Sequence, residues 1–307
     1  MNIPGCAFRV PVHIVYRHMT TLTQTESHAG LDHHLEQVRH LIFRTLEETS
    51  LREVLHDSPS LASFGGKMLR SRLAHRVGAA TGVDADLLVH GSAAVEMIHT
   101  ASLLHDDVID GGVMRRGLPT FWVEKGKAGA ILLGDLLLFK AVDLICRVAD
   151  GRYTHELVKL TGEVCEAESE QELILQGEES QLEICQSIAR RKTGALFAFA
   201  ALLGGDGDAH RGEVLKESGY LLGTAYQLAD DILDTRAEED ASGKTLGTDA
   251  ARDIVSAARL DHIDLRAHLD DLLVQSVKIL NGDQQAVNGI ASYIAQDLQP
   301  ALSVLLG

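Results

Sequence analysis

The 307-residue chain carries 44 acidic against 28 basic side chains, a formal net charge of −16 at pH 7. That balance argues against a nucleic-acid partner, which needs a basic face to meet phosphate. Hydrophobic residues make up 45 % of the chain but aromatics only 4 %, and none of the five prolines falls between Pro119 and Pro300. Such a run, with no alternating Val, Ile and Thr segment, predicts helices joined by short turns, so the fold class is all-α.

In chain order, residues 1–27 read as a disordered N-terminal segment, with Met19 an alternative start, and residues 28–307 as a single all-α domain. The opening is broken by Pro4, Arg9, Pro11 and His13, unlike a secretory signal. The apolar period predicts a helix from Leu31 to Leu55 and a turn from His56 to Ser60. Gly65-Gly66-Lys67-Met68-Leu69-Arg70 opens the next helix. Thr81 to Asp84 is a turn, and Asp86 to Asp110 a strongly apolar helix broken by Gly111-Gly112. Arg115 to Thr120 is a loop, and Lys127 to Val148 a buried helix. Helical segments run from His155 to Leu203, and Glu213 to Asp234 forms a further helix. A polar loop, Thr235 to Asp249, leads to short C-terminal helices. No apolar stretch reaches the ~18 residues of a membrane span, so no integral membrane segment is expected. Cys6, Cys146, Cys165 and Cys185 lack CxxC spacing and read as reduced thiols of a cytoplasmic protein.

Two clusters share one shape: Asp106-Asp107-Val108-Ile109-Asp110 and Asp230-Asp231-Ile232-Leu233-Asp234. On a helix, carboxylates at i, i+1 and i+4 crowd one side. A solvated helix end is the plain reading, but negative charge at a helix C-terminus opposes the dipole. Two such faces opposed would gather hard divalent cations, Mg²⁺ above all, with the phosphates those ions hold. His99 lies two turns before Asp106 on the same face, and Gln227 one turn before Asp231, where its amide suits a phosphate oxygen. The cations gather in short groups: Lys67 and Arg70 beside a glycine pair, Arg115 and Arg116, Lys192 next to Thr193, and Lys244. Singly each is an ordinary surface charge. Beside glycines and acidic clusters they read as anion ligands.

The order GGK-x-x-R, H-x-x-x-x-x-HDD-x-x-D, RRG-x-PT, RRKTG, YQLADDILD and GK-x-x-GTD, from Phe64 to Asp249, resembles the trans-isoprenyl diphosphate synthase (polyprenyl synthetase) family. The resemblance implies a helical bundle around a central cavity, with the two aspartate motifs on facing walls. Asp106, Asp110, Asp230 and Asp234 would bind Mg²⁺, three ions per site, with Asp107 and Asp231 completing the catalytic clusters. Those ions with Arg115, Lys192, Thr193, Gln227 and Lys244 would hold an allylic diphosphate. Lys67, Arg70, His99 and Arg116 would hold isopentenyl diphosphate. A homodimer is implied, a heterodimer being the alternative.

That chemistry needs these residue types. Loss of diphosphate from an allylic carbon leaves a carbocation, so fixed positive charge must meet the leaving group while an apolar lining excludes water. Product length follows from the helix before Asp106, where one turn rises ~5.4 Å, close to one isoprene unit. Ala101 and Ser102 are small, Ile98 is the first bulky side chain of the stripe that continues to Ala94, and a product of geranylgeranyl length or longer is expected.

Met68 and Ser71 stand where the family usually has Arg and Pro. After Asp249 the usual Lys-x-Thr-Leu-Pro segment is missing, so the C-terminal part reads as shortened by a helical hairpin. The rival readings are a subunit of a heteromeric polyprenyl diphosphate synthase, a class I terpene cyclase, and a metal-storage bundle. The second DDxxD and the GGK-x-x-R element count against the cyclase, while a metal-storage bundle would favour Glu-x-x-His ligands and leaves the cation clusters unexplained.

Overall fold

In the computed structural model, which describes residues 24–58, 66–149, 151–205, 207–234, 255–257, 260 and 264–306, helices dominate. Helix α1 (Gln24–Glu47) begins before the expected boundary at residue 27. It stops short of Leu55 because the Thr49 hydroxyl donates to Leu46 O at 2.7 Å and accepts from Leu51 N at 3.2 Å. Local side-chain bonds of this kind compete with helix propagation. The short α2 (Arg52–His56) follows.

Helix α3 (Leu69–Thr81) ends at Gly82, a left-handed C-cap at φ 84°. Helix α4 (Ala85–Ile109) is capped by Asp84, whose carboxylate accepts from Asp86 N and Leu87 N, and runs into the first aspartate cluster. Its length and apolarity are sufficient to cross a membrane, which corrects the expectation that no such stretch exists. Here 67 % of its apolar window is buried within the fold, against α1, α3 and above all α5 (Phe121–Val148). Between α4 and α5 lies a small exception to the all-helical expectation. Strands β1 (Met114–Arg115) and β2 (Leu118–Pro119) form a two-residue antiparallel ladder. Arg116 and Gly117, both at positive φ, make its tip. The backbone leaves helical geometry at Gly126 (φ 81°, ψ 161°), so the predicted helix from Lys127 to Val148 is present, and a short helical stretch from Phe121 precedes it within α5.

Next come α6 (Gly151–Leu173), α7 (Leu182–Ala189), a π-helical turn at Arg190–Gly194, and α8 (Ala195–Leu202). Every residue of α8 is buried, and α3, α4, α6 and α9 (Ala209–Asp234) pack around it. The approach of α9 needs glycine: a Cβ at Gly223 would lie 2.7 Å from Gly194 Cα. Helices α10 (Leu265–Lys278) and α11 (Gln284–Tyr293), a second π-helical turn (Ile294–Leu298) and α12 (Gln299–Leu306) complete the described chain. Helix α11 packs on α3. Asp297 locks them together, accepting from Arg72 at 2.9 Å and Arg76 at 2.8 Å. Cys146, Cys165 and Cys185 are free thiols. Cys6 and the predicted loop from Thr235 to Asp249 lie outside the described residues.

Candidate active site

The last turn of α4 separates the first three aspartates by function. Asp107 is buried and faces the hairpin, where its Oδ1 accepts from Arg115 Nε at 3.0 Å and Nη2 at 2.8 Å. The forked contact fixes the Arg115 guanidinium. Asp106 meets a different environment. Burial, then Glu168 of α6 and Asp110, push its carboxyl up to about 8, against the pull of Lys192 and Arg115.

The π-helical turn joins that cluster to the second one. Lys192 Nζ donates to Glu168 Oε2 at 2.8 Å and to Gln171 Oε1 at 3.2 Å, both on α6. Its neighbour Thr193 donates to Gln227 Oε1 on α9, and Gln227 Nε2 donates to Asp231 Oδ1 at 2.8 Å. The other Asp231 oxygen accepts from Ala257 N at 3.2 Å. Two short polar chains therefore leave the π-turn, one from Lys192 to Glu168 and Gln171 on α6 and one from Thr193 through Gln227 to Asp231.

A cation group adjoins them. His99 is kept neutral first by burial and then by Arg70, Arg115 and Arg116 around it. Desolvation lowers Lys67 from its ordinary value, Asp230 opposes this, and Arg116 adds to it. Arg116 is lowered by burial and by Arg115, with Glu96 opposing. Gly66 makes room for this guanidinium, since a Cβ there would sit 2.1 Å from Arg116 Nη2. Arg70 lies over the Phe197 ring at 5.0 Å, and Phe197 stacks on Tyr226 at 5.9 Å between centroids. Cations are thus gathered against their own repulsion around a neutral imidazole.

The family model described as Polyprenyl synthetase matches residues 52–293. The chain belongs to the polyprenyl synthetase family. Its similarity to a short chain isoprenyl diphosphate synthase of Methanothermobacter thermautotrophicus is 34 % identity over 223 residues, 70 % of this chain and 67 % of the relative. It is also 34 % identical to a nonaprenyl diphosphate synthase of Mycobacterium tuberculosis, over 70 % of this chain and 64 % of the relative. Matched stretches thus span about two thirds of these relatives. A solved polyprenyl synthase from Caulobacter crescentus, complexed with calcium and isoprenyl diphosphate, superimposes with a TM-score of 0.68 at 26 % identity, covering 99 % of this chain and 98 % of that one. This polyprenyl synthetase family member therefore has an isoprenoid-synthase fold, all-α as expected.

Within this family member, the structure brings together Lys67, Arg70, His99, Arg115 and Arg116, and links Asp106, Asp110, Lys192, Thr193, Gln227 and Asp231, with Asp230 beside Lys67. Lys244 and the Asp234 side chain lie outside the described residues. The Gln227 amide, expected to face a phosphate oxygen, donates to Asp231 in this structure. Glu168 and Gln171 were not anticipated. Their spacing at i, i+3 on α6 is the only local signal, and it is weak. Glu96 was also missed, although a carboxylate amid the apolar residues of α4 is itself a signal.

Magnesium fits these residues as an ion shared with a phosphate. Asp106 and Asp110 are hard oxygen donors, and burial with the nearby Glu168 carboxylate outweighs the pull of Lys192 and Arg115 on Asp106. Among the described residues no three His, Cys, Asp or Glu side chains form a ready cage. Mg²⁺ would take one or two of these carboxylates and complete its octahedron with waters and substrate phosphates.

Proposed function

We propose that this chain condenses isopentenyl diphosphate with an allylic diphosphate to give a trans-polyprenyl diphosphate of geranylgeranyl length or longer. One observation carries the reading: a carboxylate cluster and a cation cluster abut, with Arg115 held on Asp107 and Lys67 set beside Asp230. Two diphosphates need those two environments. One is reached through metal held by Asp106, Asp110, Asp230 and Asp234. The other is gripped directly by Lys67, Arg70, His99 and Arg116.

Arg115 and Lys192, fixed by Asp107 and Glu168, stand ready for the charge that develops on the allylic leaving group as its C–O bond breaks. Bound Mg²⁺, three ions in this reading, supplies further electrostatic stabilisation of that diphosphate. The double bond of isopentenyl diphosphate then adds to the allylic carbon, and a proton is lost to the released diphosphate. His99, held neutral, donates a hydrogen bond to the second diphosphate without adding charge. Ala101 and Ile98, both buried, and the half-buried Ser102 line the growing chain in this reading.

A homodimer in the cytoplasm completes the proposal. On α5, Leu132 and Phe139 are 66 % and 76 % exposed. They lie seven residues apart, two turns along one helix face, and an apolar stripe of that kind suits a second copy. The deciding experiment incubates the purified chain with Mg²⁺, isopentenyl diphosphate and dimethylallyl, geranyl or farnesyl diphosphate in turn, then sizes the products. Absence of elongated diphosphate with every primer would overturn the reading. A cyclised hydrocarbon would favour a terpene cyclase.

A further inference from the structure

The inner wall of the cation cluster contains ionisable groups that the proposed condensation does not use. Glu96, on α4 three residues before His99, is 2 % exposed. Its Oε1 accepts from Ser71 N at 3.1 Å and from Ser71 Oγ at 2.9 Å. Ser71 directly follows Arg70 in the first turn of α3. Proline, usual in the family at this place, would offer neither donor. Arg70 is 8 % exposed, and its Nε has no hydrogen-bond partner. Tyr293, at the end of α11, is fully buried, and its phenol oxygen also lacks a partner. Asp297, one turn on, clamps this end of α11 to α3 through Arg72 and Arg76. Burial pushes the Glu96 carboxyl up while Arg70 and the two Ser71 donors pull it down toward its charged form, and Tyr293, kept as a neutral phenol by burial, lies near the same guanidinium.

A buried guanidinium with an open donor is costly, and it persists only where countercharge and packing hold it. We propose that Glu96 and Tyr293 are positioning residues that hold Arg70 against Phe197 and so fix the pocket for the second diphosphate. This rests on the reading of Lys67, Arg70, His99 and Arg116 as the isopentenyl diphosphate site. Glu96 supplies the countercharge on a short tether to Ser71. Tyr293 supplies the wall from the C-terminal part of the chain, so the last described helices reach the site through Arg70.

The test measures isopentenyl diphosphate binding by calorimetry and both substrates' KM by steady-state kinetics, for the unaltered chain, Glu96→Gln, Tyr293→Phe, Ser71→Ala, Arg70→Ala and the double variants with Arg70→Ala. Glu96→Gln and Tyr293→Phe should each weaken isopentenyl diphosphate binding on the order of tenfold and raise its KM more than they lower kcat. The KM of the allylic substrate should stay within about twofold. In the Arg70→Ala background both effects should vanish, because groups acting through Arg70 have nothing left to position. Additive losses, parallel rises in both KM values, or a lower KM for isopentenyl diphosphate would each overturn the proposal. The last would mean that Glu96 merely weakens the pocket's positive potential. Melting temperatures identify any variant that fails to fold, in which case Tyr293→Phe and Ser71→Ala, the smallest changes, decide the matter. If the unaltered chain binds no isopentenyl diphosphate, the functional reading itself fails and this inference with it. Binding that the variants leave unchanged sinks the inference alone.

Discussion

Lys192 and Thr193 are consecutive in sequence, yet their side chains join opposite walls: Lys192 bonds Glu168 on α6 and Thr193 bonds Gln227 on α9. Neighbours on a helix diverge by about 100°, so two adjacent residues on the π-helical turn can serve two flanking helices at once. π-turns of this kind are rare and concentrate at functional positions. Lys192→Ala should therefore lower kcat/KM for the allylic substrate by about 10²-fold, the loss typical of one fixed electrostatic donor. Kinetics with varied primer at saturating isopentenyl diphosphate check this, and a change under threefold would count against Lys192 meeting the leaving group.

Asp106 and Asp107 should separate in their effects. Asp107 grips Arg115, whereas Asp106 sits near Glu168 and Asp110 and in the proposed function holds the metal. Chelation by EDTA should abolish turnover, and added Mg²⁺ should restore it. Asp106→Asn should raise the Mg²⁺ concentration needed for half-maximal rate, while Asp107→Asn should chiefly raise the allylic KM. Identical metal titrations for the two variants would contradict this division.

Ala101→Phe should shorten the product by at least one isoprene unit. Ala101 is fully buried on α4, and one helical turn rises about the length of one unit. Product sizing by chromatography reads the outcome directly, and an unchanged chain length would remove Ala101 from the wall.

Acid should destabilise the fold through His34. Burial, then His75 and His33, push its imidazole down to about 3, and its Nε2 lies 3.2 Å from Ser92 Oγ. His75, pushed down to about 4 by burial and Arg76, acts in the same direction. A base with a folded pKa below its unfolded value of about 6.5 binds more protons when unfolded. Its contribution is therefore complete above that value and is lost as pH falls toward the folded pKa. At pH 5, His34 alone should cost about 2 kcal/mol relative to pH 7.5. Urea midpoints at the two pH values test this, and His34→Gln should flatten the difference.

Phe139→Glu, at a position 76 % exposed on α5, should convert a dimer to monomer without loss of helix content. Sedimentation and circular dichroism would show it, and an unchanged mass would place any interface elsewhere.

Much of the site was legible because it is written along single helices. The positions of Asp106, Asp110 and His99 follow from the helical period once the apolar run of α4 is seen, and the GGK-x-x-R spacing places Lys67 and Arg70 at the start of α3 in the same way. The α1 break was missed because it depends on Thr49 bonding its own backbone rather than on apolar spacing. The start of the long helix at Lys127 was legible, and what the sequence did not show is the short helical stretch from Phe121 that meets it across non-helical Gly126.

The sequence alone determined the helical class, the two acidic clusters and the order of cationic motifs, since local spacing and side-chain chemistry suffice for those. The tertiary structure decided which groups meet. Lys192 finds Glu168 from 24 residues away and Arg76 finds Asp297 from 221, and no periodicity encodes such pairs. It also divided the roles within one motif, turning Asp107 toward Arg115 and Gln227 toward Asp231. The physical reason is burial. A charge taken out of water must be answered by whichever partner the packing of distant helices brings within reach.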